Sequence, residues 1–156
     1  MTDQRDSTEI DRSEPDTAGS EDRGRTIARW ALGGALLLAG TGHLTVQRQE
    51  FQAQVPGWFP VDDDAVVLVS GVVELLLGAA LILVGRRRRA AVGLVVAGFF
   101  VVIFPGNIAQ FVEHKDGFGL DTDAKRFARL FFQPVLVLWA LWSTGAWAWL
   151  RRRPER

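Results

Sequence analysis

Apolar residues in this chain fall into four long blocks separated by short polar links. The blocks run from about residue 27 to 46, 65 to 84, 90 to 112 and 130 to 150. Each reaches the roughly 20 residues that a helix needs to cross a hydrocarbon core at about 1.5 Å rise per residue. Their glycines and β-branched residues would make poor helices in water. In hydrocarbon, however, every backbone amide must bond within its own segment, so helix is the predicted conformation. The pattern predicts an all-α, four-helix transmembrane bundle. Glu74 lies near the middle of the second block, where a carboxylate costs about 2.5 to 3.5 kcal/mol. The thirteen Val, Leu and Ile residues of that block, at about −0.3 to −0.6 kcal/mol each, offset the acid. The block is expected to insert.

The flanks differ sharply from the blocks. Residues 1–26 hold eight acids, four arginines and no aromatic residue, too little apolar surface to fold alone, and they read as a disordered acidic cytoplasmic tail. No basic segment leads directly into an apolar run there, so the tail does not read as a signal peptide. Residues 27–150 form the expected membrane domain and residues 151–156 a basic cytoplasmic tail. Topology follows from the basic residues, because Lys and Arg in short flanks are retained on the cytoplasmic side. Thirteen lie on the N-terminal flank, in the run Arg86 to Arg89 and at the C-terminus, against five (Arg48, Lys115, Lys125, Arg126, Arg129) on the other side. Both termini are predicted cytoplasmic.

The link from Gly85 to Arg89 is short enough to make the second and third helices antiparallel neighbours. The two external links are longer. Pro56 and Pro60 oppose a regular helix across the first, where Phe51, Trp58 and Phe59 could sit at headgroup depth, as could Trp30, Trp147 and Trp149 at the inner face. In the second, Thr122 is a candidate cap for a short amphipathic helix through Arg129. Asp62, Asp63 and Asp64 read as favourable charge at a helix start rather than a cation site. His114 reads as a solvated loop residue, and Lys115, Lys125, Arg126 and Arg129 as a solvated external face.

Small and polar residues recur at helical spacing within the blocks, as they do where membrane helices meet. Ser70, Gly71, Glu74 and Gly78 share one face of the second helix. Gly33, Gly40 and His43 align on the first, Gly93 and Ala97 on the third, and Gln133, Ala140 and Thr144 on the fourth. Packing suffices to explain the glycines. Pro105 and Pro134 each free a carbonyl, near Val101 and Leu130, that must find a partner inside protein or water. Together these groups predict an outward-opening polar pocket with His43, Glu74, Asn107 and Gln133 as its candidate site. From the block boundaries, Glu74 lies about 14 Å below the outer surface and His43 only about 5 Å, so their direct contact is left open.

Composition narrows the chemistry. The chain has no Cys, which excludes thiol nucleophiles, cysteine-ligated zinc, iron–sulfur clusters and covalent haem attachment. Its two histidines exclude a histidine-rich metal site. With 18 basic and 18 acidic residues the formal charge is zero, and nucleic acid is not an expected partner. No self-contained catalytic motif is present, so whether the chain is an enzyme is left open.

Four short motifs occur in order on the four blocks: Gly42-His43-Leu44, Ser70-Gly71-Val72-Val73-Glu74-Leu75, Phe104-Pro105-Gly106-Asn107-Ile108, and Phe132-Gln133-Pro134 with Trp139-Ala140. In this order they resemble the DoxX-like membrane proteins over residues 27 to 150. The resemblance implies a multi-pass protein of bacterial or archaeal plasma membrane, associated with redox complexes and a quinone. On that expectation His43 would exchange a proton with a quinone carbonyl and Glu74 would relay protons. Asn107 and Gln133 would orient the head group, and Phe104 and Trp139 would form apolar walls. Electrons would come from a redox partner protein. Two other readings stand beside it. One is proton or small-solute transport, which four helices would support best in a homo-oligomer. The other is a scaffold in which Glu74 donates a hydrogen bond to Asn107 or to a backbone carbonyl. Reporter fusions test the orientation: activity confined to the cytoplasm is expected at both ends, and an external signal at either end would overturn it.

Overall fold

The computed structural model describes residues 17–152, and all regular structure among them is helical. In chain order the helices are α1 (Thr17–Leu44), α2 (Arg48–Gln52), α3 (Asp63–Leu83), α4 (Arg89–Val112), α5 (Asp123–Thr144) and α6 (Ala146–Arg151). The expected tails at residues 1–16 and 153–156 lie outside the described residues. Three helices, α3, α4 and α5, are long and apolar enough to cross a membrane. Arg29, His43 and the glycines of α1 dilute its apolar block, and it is not among the three. Leu76, Leu83, Val102, Phe131 and Leu138 are exposed, whereas Glu74, Asn107 and Gln133 are buried. Polar groups inside and apolar groups outside suit a hydrocarbon surrounding rather than water. The chain is a membrane protein.

Helices α3 and α4 keep nearly the expected boundaries, and two other segments depart from them. Residues 17–26 are helical rather than part of a disordered tail. Contacts with the α3–α4 link account for this. Asp22 pairs with Arg86 at 2.8 Å and with Arg89 at 3.5 Å. Two turns further on, the buried Arg29 donates to the Leu81 carbonyl and, at 3.5 Å, to that of Ile82. A guanidinium there satisfies last-turn carbonyls that α3 itself cannot. The fourth apolar block is likewise not one helix. Thr122 caps α5, its hydroxyl accepting from the Lys125 amide at 3.4 Å. The predicted short amphipathic helix is therefore the first turns of α5, which has run 22 residues by Thr144. Gly145 then takes a left-handed conformation, φ 74°, and α6 starts afresh. That conformation favours glycine and ends helices.

Packing pairs the long helices as α1 with α3 and α4 with α5. The link at Gly85 turns the chain as its length requires, yet α3 and α4 meet only sparingly. Close approach explains why α1 prefers α3. A Cβ on Gly33 would lie 2.9 Å from the Gly78 carbonyl oxygen, and one on Gly78 would lie 2.7 Å from that of Gly33. Gly40 and Gly71 repeat the arrangement, at 2.7 and 3.2 Å. Residue numbers rise along one helix as they fall along the other, so the pair is antiparallel. In the second pair Gly93 leaves room for the Thr144 side chain. Leu32, Leu36, Leu81, Val96, Ala97, Phe100 and Ala140 form the core that joins the two pairs.

Because no side chain fits at the α1–α3 seam, Gly40→Ala and Gly78→Ala are each expected to cost about 1 to 3 kcal/mol through overpacking. Gly34→Ala and Gly98→Ala meet open space and should be neutral or gain up to about 1 kcal/mol from helix propensity. Thermal unfolding in detergent micelles checks the contrast. Equal effects at all four positions would refute the seam.

Candidate ligand-binding site

Between the two helix pairs lies a cavity of 530 Å³, within the range of small-molecule sites. Its walls are mostly apolar, with Leu32 and Leu36 of α1, Val67 of α3, Phe100 and Ile103 of α4, and Leu136 of α5 among them. Of the residues singled out from sequence, His43, Glu74, Asn107, Gln133 and Trp139 all line it. Phe104 does not. One position beyond Ile103 turns a side chain about 100° around the helix, and Phe100 and Phe132 supply the aromatic wall instead.

His43 and Glu74 meet directly. The imidazole Nδ1 lies 3.2 Å from Glu74 Oε2 and 2.9 Å from the Ala39 carbonyl oxygen. A carbonyl only accepts, so Nδ1 carries the proton. Among the described residues Glu74 Oε2 nevertheless has no hydrogen-bond partner, and it is buried. The depth gap expected from the block boundaries closes through the glycine register. Gly71 leaves space for the His43 Cβ, 2.7 Å from where a side chain would begin, and Glu74 follows one turn later on the same face. Phe51 stacks on the imidazole with centroids 3.3 Å apart. It thus packs within the protein, and Phe118 meets it edge-on at 4.5 Å.

On the opposite wall, four groups form a chain of hydrogen bonds. Arg129 Nε donates to Asn107 Oδ1 at 3.2 Å. Asn107 Nδ2 donates to Gln133 Oε1 at 2.9 Å. Gln133 Nε2 donates to the Phe100 carbonyl at 2.5 Å. This last bond sits next to Val101, whose carbonyl loses its usual donor at Pro105. Asn107 and Gln133 therefore bind each other across α4 and α5, and both amide oxygens are already engaged. Each keeps one N–H of its two.

The link between α1 and α3 covers one end of the cavity. Gln54, Val55, Pro56, Trp58 and Phe59 all line the cavity. Gly106 lets the link approach α4, since a Cβ there would lie 2.5 Å from the Gln54 carbonyl oxygen. Polar ties fasten the link. Both Arg48 and Gln52 donate to Asp64, and the Asp62 side chain caps α3 through the Ala65 amide at 3.1 Å. Lys115 Nζ reaches the Val55 carbonyl at 2.7 Å, and the Gly57 amide donates to Glu113 at 3.1 Å. The Lys115 ammonium first, and the Gly57 amide second, hold the Glu113 carboxyl below its usual range. This contribution to stability is complete above the ordinary carboxylate range and is lost as pH falls through the lowered value.

Two further expectations change at this end. Arg126, expected on a solvated face, is buried, and it donates to Asp116, to Asp123 at 2.7 Å and to the Lys115 carbonyl at 3.3 Å. His114 is exposed as expected, with Asp123 2.8 Å away. Two polar cavity residues are absent from the predicted site, Arg129 and Gln54. Arg129 precedes Gln133 by four and Leu136 by seven, so the same helical stripe extended upward would have found it. Assigning 130 as the start of the block cut it off. Gln54 lies in a link with no periodicity and carried no such signal.

Residues 32–144 match the family described as a domain of unknown function, DUF8561. The chain belongs to that family. No curated protein and no solved structure matches it. The matched span begins at the first core leucine of α1 and closes at the last residue of α5, so it encloses every residue that lines the cavity.

Removal of Gln133 tests the cross-wall chain. Gln133→Leu strands the Asn107 amide and the Phe100 carbonyl and is expected to cost about 1 to 3 kcal/mol. Phe131→Leu, on the exposed face of the same helix, should stay within about 0.5 kcal/mol. Chemical unfolding in micelles reads both, and a neutral Gln133→Leu would show that the chain does not brace α4 to α5.

Proposed function

We propose that this protein is a four-span subunit of a prokaryotic plasma membrane, with both termini cytoplasmic, that binds a quinone or a lipophilic molecule of similar size in the cavity. The contact between His43 and the unpartnered Glu74 at the wall of an apolar chamber is the observation that carries this reading. An ionisable pair within membrane-spanning helices is costly and is a functional-site candidate by that fact. The order of the DoxX-like motifs supports the redox side of the proposal. Quinone reduction takes two electrons and two protons. The chain has no redox-active side chain, so a partner protein would supply the electrons.

The residues then divide the work. The Nδ1 proton of His43 is held by the Ala39 carbonyl, which leaves Nε2 as the ring nitrogen free to exchange a proton. Glu74 lies next to it as the second proton carrier. Gln54 Nε2 is buried without a partner among the described residues and can donate to a ligand carbonyl, as can the remaining N–H groups of Asn107 and Gln133. Trp139 is fixed by its indole N–H donating to the Ala28 carbonyl at 2.9 Å. It provides a rigid flat wall for a ring system.

Purification in mild detergent, with mass spectrometry of co-purifying proteins and bound lipophilic molecules, tests the proposal. A quinone retained by the wild type and reduced about tenfold or more by His43→Ala is expected, together with a redox protein in the same preparation. Glu74→Gln should retain the quinone but slow its reduction by that partner. A preparation free of both, which also fails to bind decylubiquinone, would favour the scaffold reading.

A further inference from the structure

The polar groups of the cavity fall into two sets, and the proposed chemistry uses only one of them. Glu74, the acid of the wall, has a basic neighbour in His43. Arg129 has no such counterpart. Its Nε is bonded to the neutral Asn107, and its guanidinium lies over the Phe118 ring, 5.5 Å from the centroid. Among the described residues no carboxylate comes within ion-pair distance of it, in contrast to Arg48, Arg86, Arg89 and Arg126. A half-buried cation with no anion has an unmet demand for one. The buried, unpartnered amide of Gln54 lines the same cavity.

We propose that Arg129 and Gln54 form an anion subsite at the outer end of the cavity, which takes the head of a single-chain anionic amphiphile. Its chain runs along Leu32, Leu36, Phe100 and Leu136. Charge complementarity selects the head. Guanidinium presents a planar set of donors that matches a carboxylate or phosphate, and a charge-assisted bond is about twice as strong as a neutral one. Volume selects the chain number. At about 30 Å³ for each water-sized group, 530 Å³ accommodates one chain and not two. Position separates this subsite from the proton pair. Arg129 lies in the second turn of α5, whereas Glu74 is three turns into α3, and both helices start at the outer end. The inference shares with the proposed function only the premise that the cavity takes a lipophilic molecule.

Native mass spectrometry of the full chain in non-ionic detergent, titrated with palmitate, methyl palmitate, lysophosphatidate and decylubiquinone, tests it. One palmitate or lysophosphatidate per chain is expected, with methyl palmitate about tenfold weaker or more. Preference between the two anions tells a free fatty acid from a phosphate-headed lipid. Arg129→Gln should weaken both anions about tenfold to hundredfold and leave methyl palmitate unchanged, while Arg129→Lys should recover part of the loss. Ala39→Phe, which narrows the chamber without touching Arg129, should weaken every ligand and so separates loss of the cavity from loss of charge. Equal binding of palmitate and its methyl ester, or an Arg129→Gln variant that binds palmitate as the wild type does, overturns the subsite. If decylubiquinone binds and neither anion does, the subsite falls and the proposed function stands. If the anions bind through Arg129 and decylubiquinone does not, the reverse holds.

Discussion

Two helices bring their backbones together only where neither carries a side chain, and α1 and α3 meet that condition twice. Gly33 faces Gly78 and Gly40 faces Gly71, with the glycines seven positions apart on each helix. The two contacts fix the separation and the register of the pair together, because sliding by one residue would put a side chain against a backbone carbonyl. In hydrocarbon no hydrophobic force draws helices together, and shape of this kind is what remains to hold them. The position of His43 beside Glu74 is a direct result. Because the pair is antiparallel, the steps from Gly40 to His43 and from Gly71 to Glu74 run in opposite directions, and the two side chains, each tilted toward its own helix N-terminus, reach back across the seam to meet at 3.2 Å.

The cavity is the counterpart of that seam. Intimate contact within α1 and α3, and within α4 and α5, leaves the two pairs to meet around a looser interface. Large residues of the core close its inner part, whereas Pro105, Gly106 and the folded external link shape the outer part. Lining the chamber with both apolar walls and unpaired polar atoms is expensive unless something answers those atoms. Among the described residues Glu74 Oε2 and Gln54 Nε2 remain unanswered, while Asn107, Gln133 and the Nε of Arg129 brace α4 against α5.

Much of this was legible from the residues. Small and polar positions spaced by three, four and seven gave the buried faces of α3 and α5, and the long apolar blocks gave α3 and α4 nearly to the residue. The failures have physical causes. Hydropathy reports what a segment needs from its solvent and is silent on ion pairs, so Asp22 and Arg29, which hold the start of α1 to the α3–α4 link, read as part of a solvated tail and its margin. A single apolar block from 130 to 150 conceals the helix break at Gly145, because a left-handed glycine leaves no trace in hydrophobicity. Arg126 and Arg129 were placed with the exposed cations by their chain position, although their spacing from Gln133 puts both on its buried face. No periodic signal could show that the first external link folds inward, since its course is set by Arg48, Lys115 and Glu113 acting across the chain.

Pairing α1 with α3 and α4 with α5 also divides the polypeptide at one point. Every residue of the first seam lies before Gly85 and every residue of the second pair after it. A ribosome delivering the chain from its N-terminus therefore releases a complete glycine-locked pair before α4 exists, and membrane insertion can proceed as two successive hairpin-like units rather than one concerted assembly. The chamber, by contrast, comes into being only when the later unit docks against the first.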